Sequence, residues 1–229
     1  MTAPMDRSTF AHALEHSLLA PGTTESQVLE GCRFAVTKGV KLVMVQPCFA
    51  EAASLALRGT PVLVGAVLGF PHGCDLTDVK VFSARRLRAL GVDELDMVLN
   101  RSLLRSGRTV EMEADIRAVV EAAGGATVKV ILETGELSEK EIALCVETAR
   151  KAGADFVKTS TGFSGTGATV KAVSLLRRLA GKTLGVKASG GIRTLDQALA
   201  LIEAGADRLG LSATPDVLAE WDKRFGNGG

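Results

Sequence analysis

Short apolar runs alternate with longer amphipathic stretches from one end of this chain to the other. The short runs read as strands at Val40–Val45, Val62–Gly69, Glu94–Asn100, Thr127–Thr134, Asp155–Ser160, Leu184–Ser189 and Arg208–Ser212, with a shorter one near Leu14–Ser17. Helical periodicity fills the intervals, for example over Ser138–Ala152, Thr169–Ala180 and Leu195–Ala204. Ser138 with Glu141, and Thr194 with Gln197, have the spacing of capping boxes. Gly39, Gly91, Gly153 and Gly205 each stand where a left-handed residue would end a helix.

The strings LGVDEL, AGADFV and AGADRL each close a helix and open a strand, a weak internal repeat. Strict alternation with short links implies a parallel sheet. Eight such units close into a single-domain (β/α)8 barrel over residues 1–229, the α/β TIM-barrel class. The competing architecture is a doubly wound open sheet. It calls for a G-x-G-x-x-G turn after the first strand, and none stands there.

Strand residues alternate between faces. Leu95, Met97 and Leu99 share one side of their strand, opposite Glu94, Asp96, Val98 and Asn100. Val128, Val130 and Leu132 oppose Lys129, Ile131 and Glu133; Lys158 and Ser160 oppose Val157 and Thr159; Lys187 and Ser189 oppose Val186 and Ala188. The apolar faces must meet the surrounding helices. The charged faces then converge inside the barrel, placing Asp96, Lys129, Glu133, Lys158 and Lys187 together. Buried charges must be networked to be tolerated, so a structural ion pair explains any one lysine. Three lysines and two carboxylates near the C-terminal strand ends, where barrel active sites sit, point instead to catalysis.

Composition narrows the choices further. With 46% hydrophobic and 23% charged residues, the chain is ordinary for a soluble globular protein. A net charge of +1 without like-charge blocks argues against nucleic-acid and membrane-surface binding. The N-terminus lacks the apolar core of a signal peptide, and the longest apolar run, Pro61–Phe70, is too short to span a bilayer. A cytoplasmic location is the expectation. Cys32, Cys48, Cys74 and Cys145 form no C-x-x-C pair and are expected to be reduced and mostly buried. His12, His16 and His72 lack metal-ligand spacing, so no metal site is expected.

An unperturbed lysine, with a pKa of about 10.4, is neutral in only roughly 1 molecule in 2,500 at pH 7. A nearby cation and partial burial can lower that pKa enough to make the amine a nucleophile for carbonyl carbon. Two inward lysines on adjacent strands supply such a cation, and Asp96 a proton carrier. The glycine-rich segments Ser160–Gly167, Ser189–Thr194 and Gly210–Thr214 cluster in the last three units. Their backbone N–H groups and following helix N-termini suit a phosphate, with Gly162, Gly190, Gly191, Gly210 and Ser212 as candidate contacts.

The segments GADFVKTSTGF (Gly153–Phe163), VKASGGIRT (Val186–Thr194), DELDMVLN (Asp93–Asn100), VKVILETGEL (Val128–Leu137) and GFPHG (Gly69–Gly73) recur in the order found in one family. Over essentially its whole length the chain resembles the 2-deoxyribose-5-phosphate aldolases, class I Schiff-base enzymes. That resemblance implies that Lys158 forms the Schiff base, Lys187 is the neighbouring cation and Asp96 takes part in proton transfer. It also implies a phosphorylated sugar substrate, reversible release of glyceraldehyde 3-phosphate and acetaldehyde, and no metal or organic cofactor. Glu15 stands where the family usually has aspartate near its substrate. Gln46 replaces an asparagine, GLSAT (Gly210–Thr214) a more hydroxyl-rich loop, and the chain has no tyrosine. A sister aldolase for another sugar phosphate and a non-catalytic phosphosugar-binding barrel are the competing functions. A homodimer would be an unsurprising assembly.

Overall fold

In the computed structural model, which describes residues 5–226, eight parallel strands form a closed barrel in sequence order. They are β1 (Leu14–Leu18), β2 (Leu42–Val45), β3 (Leu63–Leu68), β4 (Glu94–Val98), β5 (Thr127–Ile131), β6 (Phe156–Lys158), β7 (Gly185–Ser189) and β8 (Arg208–Leu211). Around them run α1 (Arg7–His12), α2 (Glu25–Lys38), α3 (Ala50–Leu57), α4 (Thr77–Ala89), α5 (Arg101–Arg105), α6 (Thr109–Ala122), α7 (Glu139–Lys151), α8 (Val170–Ala180), α9 (Leu195–Glu203) and α10 (Thr214–Phe225). Eight of these alternate with the strands; α1 precedes β1, and α5 is an extra turn before α6. The termini of the expected 1–229 domain, 1–4 and 227–229, lie outside the described residues. No described helix is long and apolar enough to cross a membrane.

Local chemistry explains why the units repeat. Ser138 and Thr194 cap α7 and α9 as capping boxes, and Thr24 with Gln27 adds a third on α2. Gly39, Gly91, Gly153 and Gly205 all take positive φ, from 67° to 106°. The aspartate of each repeated string has a definite task. Asp93, Asp155 and Asp207 accept the N–H of Val64, Val128 and Val186 at 2.8, 2.8 and 2.7 Å. Each thereby satisfies a donor on the preceding strand and joins β3 to β4, β5 to β6 and β7 to β8.

The outward strand residues Leu95, Met97, Leu99, Val128, Val130, Val157 and Val186 belong to the main apolar core between barrel and helices. Inside the barrel a small apolar cluster of Leu42, Met44 and Val67 fills the β2–β3 side. The opposite side is charged. Several strands end sooner than their apolar patterns suggest: β4 at Val98, β5 at Ile131 and β6 at Lys158. Asn100 leaves β4 to cap α5, its side chain accepting the N–H of Leu103 at 3.2 Å. Two cysteines depart from expectation: Cys32 and Cys145 are buried, but Cys48 and Cys74 are exposed.

Candidate functional site

The charged half of the barrel interior is one continuous network. Asp96, on β4, accepts from Lys129 of β5 at 2.9 Å, Lys158 of β6 at 2.8 Å and Lys187 of β7 at 2.6 Å. The latter two share the same oxygen, Oδ2. Lys129 also faces Glu94 at 2.6 Å and Glu15 at 3.5 Å, while Lys187 donates to Glu15. Beneath them the Arg208 guanidinium lies 3.8 Å from both Glu15 and Glu94 and over the Phe156 ring, 5.9 Å from its centroid. Gly210 makes room for this: a Cβ there would stand 2.9 Å from the Lys187 side chain. The formal charges balance when one lysine is neutral. Lys129, Lys187 and Arg208 then oppose Glu15, Glu94 and Asp96.

Lys158 is the lysine placed to be that neutral one. Burial, foremost, and the charge of Lys187 lower its pKa to about 8, against the opposing pull of Asp96. Lys129 goes the other way: despite the penalty of burial, Asp96, Glu15 and Glu94 hold it above the usual lysine range. Burial alone would raise Asp96, but Lys129, Lys158 and Lys187 keep it well below the usual carboxylate range. Glu15 is likewise lowered by Lys129 and Lys187 in spite of its burial. Desolvation thus contributes more to the Lys158 shift than the neighbouring cation does.

Above this network lies a cavity of about 560 Å³, lined by Lys158 but by neither Lys187 nor Asp96. Its walls include Thr161–Phe163 after β6, Ser189–Arg193 after β7 and Gly210–Ser212 at β8. Gly162, Gly190 and Gly191 take φ of 89°, 92° and 75°. The β6 and β7 loops approach so closely that a Cβ on Gly190 would meet the Gly167 and Gly162 backbones at 3.1 and 3.4 Å. The cavity therefore combines an amine of lowered pKa at its base with exposed loop backbone on one wall. That pairing suits a phosphorylated carbonyl compound.

All five glycine and serine candidates, Gly162, Gly190, Gly191, Gly210 and Ser212, line this cavity. Three expectations need correction. Lys158 does end its strand, but Asp96 and Lys187 lie at the middle of theirs and off the cavity wall. Glu133 does not join the Asp96 network, because the chain turns left-handed there after β5 has ended. Glu15 lies fully buried in the interior network and off the cavity wall, where it partners Lys187. Gln46 is also off the wall; its Nε2 donates to the carbonyls of Leu19 and Ala20 at 3.2 and 2.9 Å, tying β2 to the loop after β1.

Sequence reasoning missed Arg208, Glu94 and Arg193. Glu94 shares the parity of Asp96, and Arg208 that of Gly210, so strand parity held the signal for both. Arg193, a cavity-wall residue, lies inside the glycine-rich segment Ser189–Thr194, where a cation beside a candidate phosphate site was the signal. Among the histidines, His16 is buried, its Nδ1 3.1 Å from Thr214 Oγ1, and burial lowers its pKa to about 4. Among the described residues no cluster of His, Cys, Asp and Glu is arranged to hold a metal.

Comparison with known proteins points the same way. A profile of the DeoC/LacD family aldolases matches residues 1–220. A deoxyribose-phosphate aldolase 1 of Bacillus licheniformis is 47% identical over 209 residues, 91% of this chain and 94% of that protein. A deoxyribose-phosphate aldolase of Thermoanaerobacter sp. is 44% identical over 216 residues, 93% of this chain and 97% of the relative. Among solved structures, the tetrameric deoxyribose phosphate aldolase of Aeropyrum pernix superimposes with a TM-score of 0.90 at 34% identity, covering 95% of this chain and 92% of the other.

Proposed function

The chain belongs to the DeoC/LacD aldolase family, and we propose that it reversibly cleaves 2-deoxy-D-ribose 5-phosphate to D-glyceraldehyde 3-phosphate and acetaldehyde through a Schiff base on Lys158. The observation that carries this reading is the position of Lys158: the one network lysine on the cavity wall, with its pKa lowered to about 8. At pH 7 about one Lys158 in ten is then neutral, a gain of more than a hundredfold over an unperturbed lysine.

The neutral amine attacks the C1 aldehyde of the open-chain sugar, and loss of water leaves a protonated imine. Removal of the C3 hydroxyl proton lets the C2–C3 bond break. The electron pair of that bond becomes the enamine double bond, with the iminium nitrogen as sink, and C3 leaves as the aldehyde of glyceraldehyde 3-phosphate. Protonation of C2 and hydrolysis then release acetaldehyde and regenerate Lys158. Asp96, hydrogen-bonded to Lys158, is suited to move these protons through water. Lys187, held between Asp96 and Glu15, keeps positive charge beside the amine without occupying the cavity. The backbone around Gly162, Gly190 and Gly191, with Ser212, is suited to the phosphate.

Borohydride reduction with the substrate present tests the reading. Peptide mass spectrometry should find the adduct on Lys158 alone. An adduct on Lys187 or Lys129 would overturn the assignment of the nucleophile, and tight sugar phosphate binding with no adduct at all would favour a non-catalytic binder.

A further inference from the structure

Glu133 has an unusual backbone. Among the described residues it is the only non-glycine with positive φ, at φ 61° and ψ 60°. A residue with a Cβ stays in that region only where its surroundings dictate it, and such positions cluster at functional sites. The turn swings its buried carboxylate away from the Asp96 network and across to the loop after β6. There Oε2 and Oε1 accept the N–H of Thr161 at 3.1 and 3.3 Å, and Oε2 accepts its hydroxyl at 2.5 Å. The same hydroxyl accepts the N–H of Phe163 at 3.1 Å, so its direction is fixed from both sides. On the other flank Arg101, at the start of α5, approaches Glu133 at 3.7 Å and Glu136 at 3.5 Å. One carboxylate therefore ties together the loops that follow β4, β5 and β6.

The tied segment matters because of where it lies. Thr161, Gly162 and Phe163 follow Lys158 by three to five residues and form one wall of the cavity. Gly162 also abuts Gly190, the close approach on which the glycine-rich wall depends. Glu133 itself does not line the cavity, so any effect on substrate passes through that wall.

We propose that Glu133 is a positioning residue that holds the Thr161–Phe163 wall in register with Lys158 and thereby sets affinity for the phosphorylated half of the substrate. This rests on the aldolase reading above. The left-handed turn is the means: it directs the Glu133 side chain from the end of β5 onto the loop after β6.

Two variants and two substrates test it. Glu133→Gly keeps the turn without a Cβ but leaves the Thr161 N–H and Arg101 without their buried carboxylate, so its melting temperature should fall below that of the parent. Its KM for deoxyribose 5-phosphate should rise roughly 10- to 100-fold, the range expected for losing hydrogen bonds to a charged group, with a smaller change in kcat. Borohydride trapping of acetaldehyde, which lacks the phosphorylated half, should stay within about threefold of the parent. Glu133→Gln keeps the Cβ and the size but loses the charge. It should shift in the same direction, and it carries the test if the glycine variant does not fold. An unchanged KM in either folded variant would overturn the proposal. So would an equal loss of acetaldehyde trapping, which would mean that Glu133 acts on Lys158 itself. A parent enzyme that neither traps nor cleaves removes the aldolase reading and this one with it. A parent that does both while the variants keep its KM removes only this one.

Discussion

Replacing Lys187 with methionine removes a cation from a network whose charges are nearly matched. Lys158 and Lys187 donate to the same Asp96 oxygen at 2.8 and 2.6 Å, so their nitrogens lie no more than about 5.4 Å apart, the two distances laid end to end. Two unit charges at that separation repel by about 3 kcal/mol at an effective dielectric constant of about 20. Their removal raises the Lys158 pKa by about 2 units, from about 8 to about 10. The charge count agrees. Without Lys187, a protonated Lys158 joins Lys129 and Arg208 against Glu15, Glu94 and Asp96, so the variant balances its interior by keeping the nucleophile charged. The neutral share at pH 7 falls from about one in ten to about one in a thousand, predicting a loss of about 100-fold in kcat/KM. The loss should shrink as the pH approaches 10. The assay is kcat/KM for cleavage across pH 6 to 10.5, beside the pH dependence of borohydride trapping on Lys158. A variant with the parent's pH profile, whatever its rate, would refute the coupling and make Lys187 a structural residue. A uniform loss at every pH would refute it equally.

The contribution of Lys158 to the parent's stability should itself increase with pH between about 8 and 10.5, against an opposing loss from the Cys32 and Cys145 thiols, which burial raises above the usual thiol range. The folded pKa of Lys158 is depressed below the unfolded value of 10.5, so through that window the unfolded chain binds the extra proton, and the gain is about 2 to 3 kcal/mol. Lys129, raised in the folded state, contributes stability that is present below 10.5 and lost at higher pH. Urea unfolding of the parent and of Lys158→Met at pH 8 and 10 checks this, because the variant should lack the gain. Glu15→Gln removes a carboxylate that raises the Lys158 pKa, so the apparent pKa of trapping should fall below 8, while stability drops by about 3–5 kcal/mol as buried cations lose a partner. An apparent pKa that stays put or rises would show that Glu15 does not communicate with Lys158.

The alternation of apolar runs and amphipathic stretches determined the class of fold, because strands and helices bury their apolar residues at different periods. Parity within strands also carried the central chemistry. Lys129, Lys158, Lys187 and Asp96 face inward because their apolar neighbours must face the helices, and no tertiary knowledge is needed to say so. The repeated aspartates at 93, 155 and 207 were visible as a pattern, but their role in joining neighbouring strands appears only once the strands are paired.

Tertiary structure decided what depends on depth and on where strands end. Parity names a face but not a level along the barrel. It therefore could not tell that Lys158 reaches the cavity while Lys187 and Asp96 stay off its wall, or that Glu15 pairs with Arg208. Nor could it foresee that β5 stops before Glu133: the Leu132 N–H still bonds the Lys158 carbonyl at 2.9 Å, and the left-handed turn comes at the next residue. The pKa ordering of the lysines was equally out of reach. It depends on which amine has several carboxylates around it and which has only one, and those distances exist only in the closed barrel.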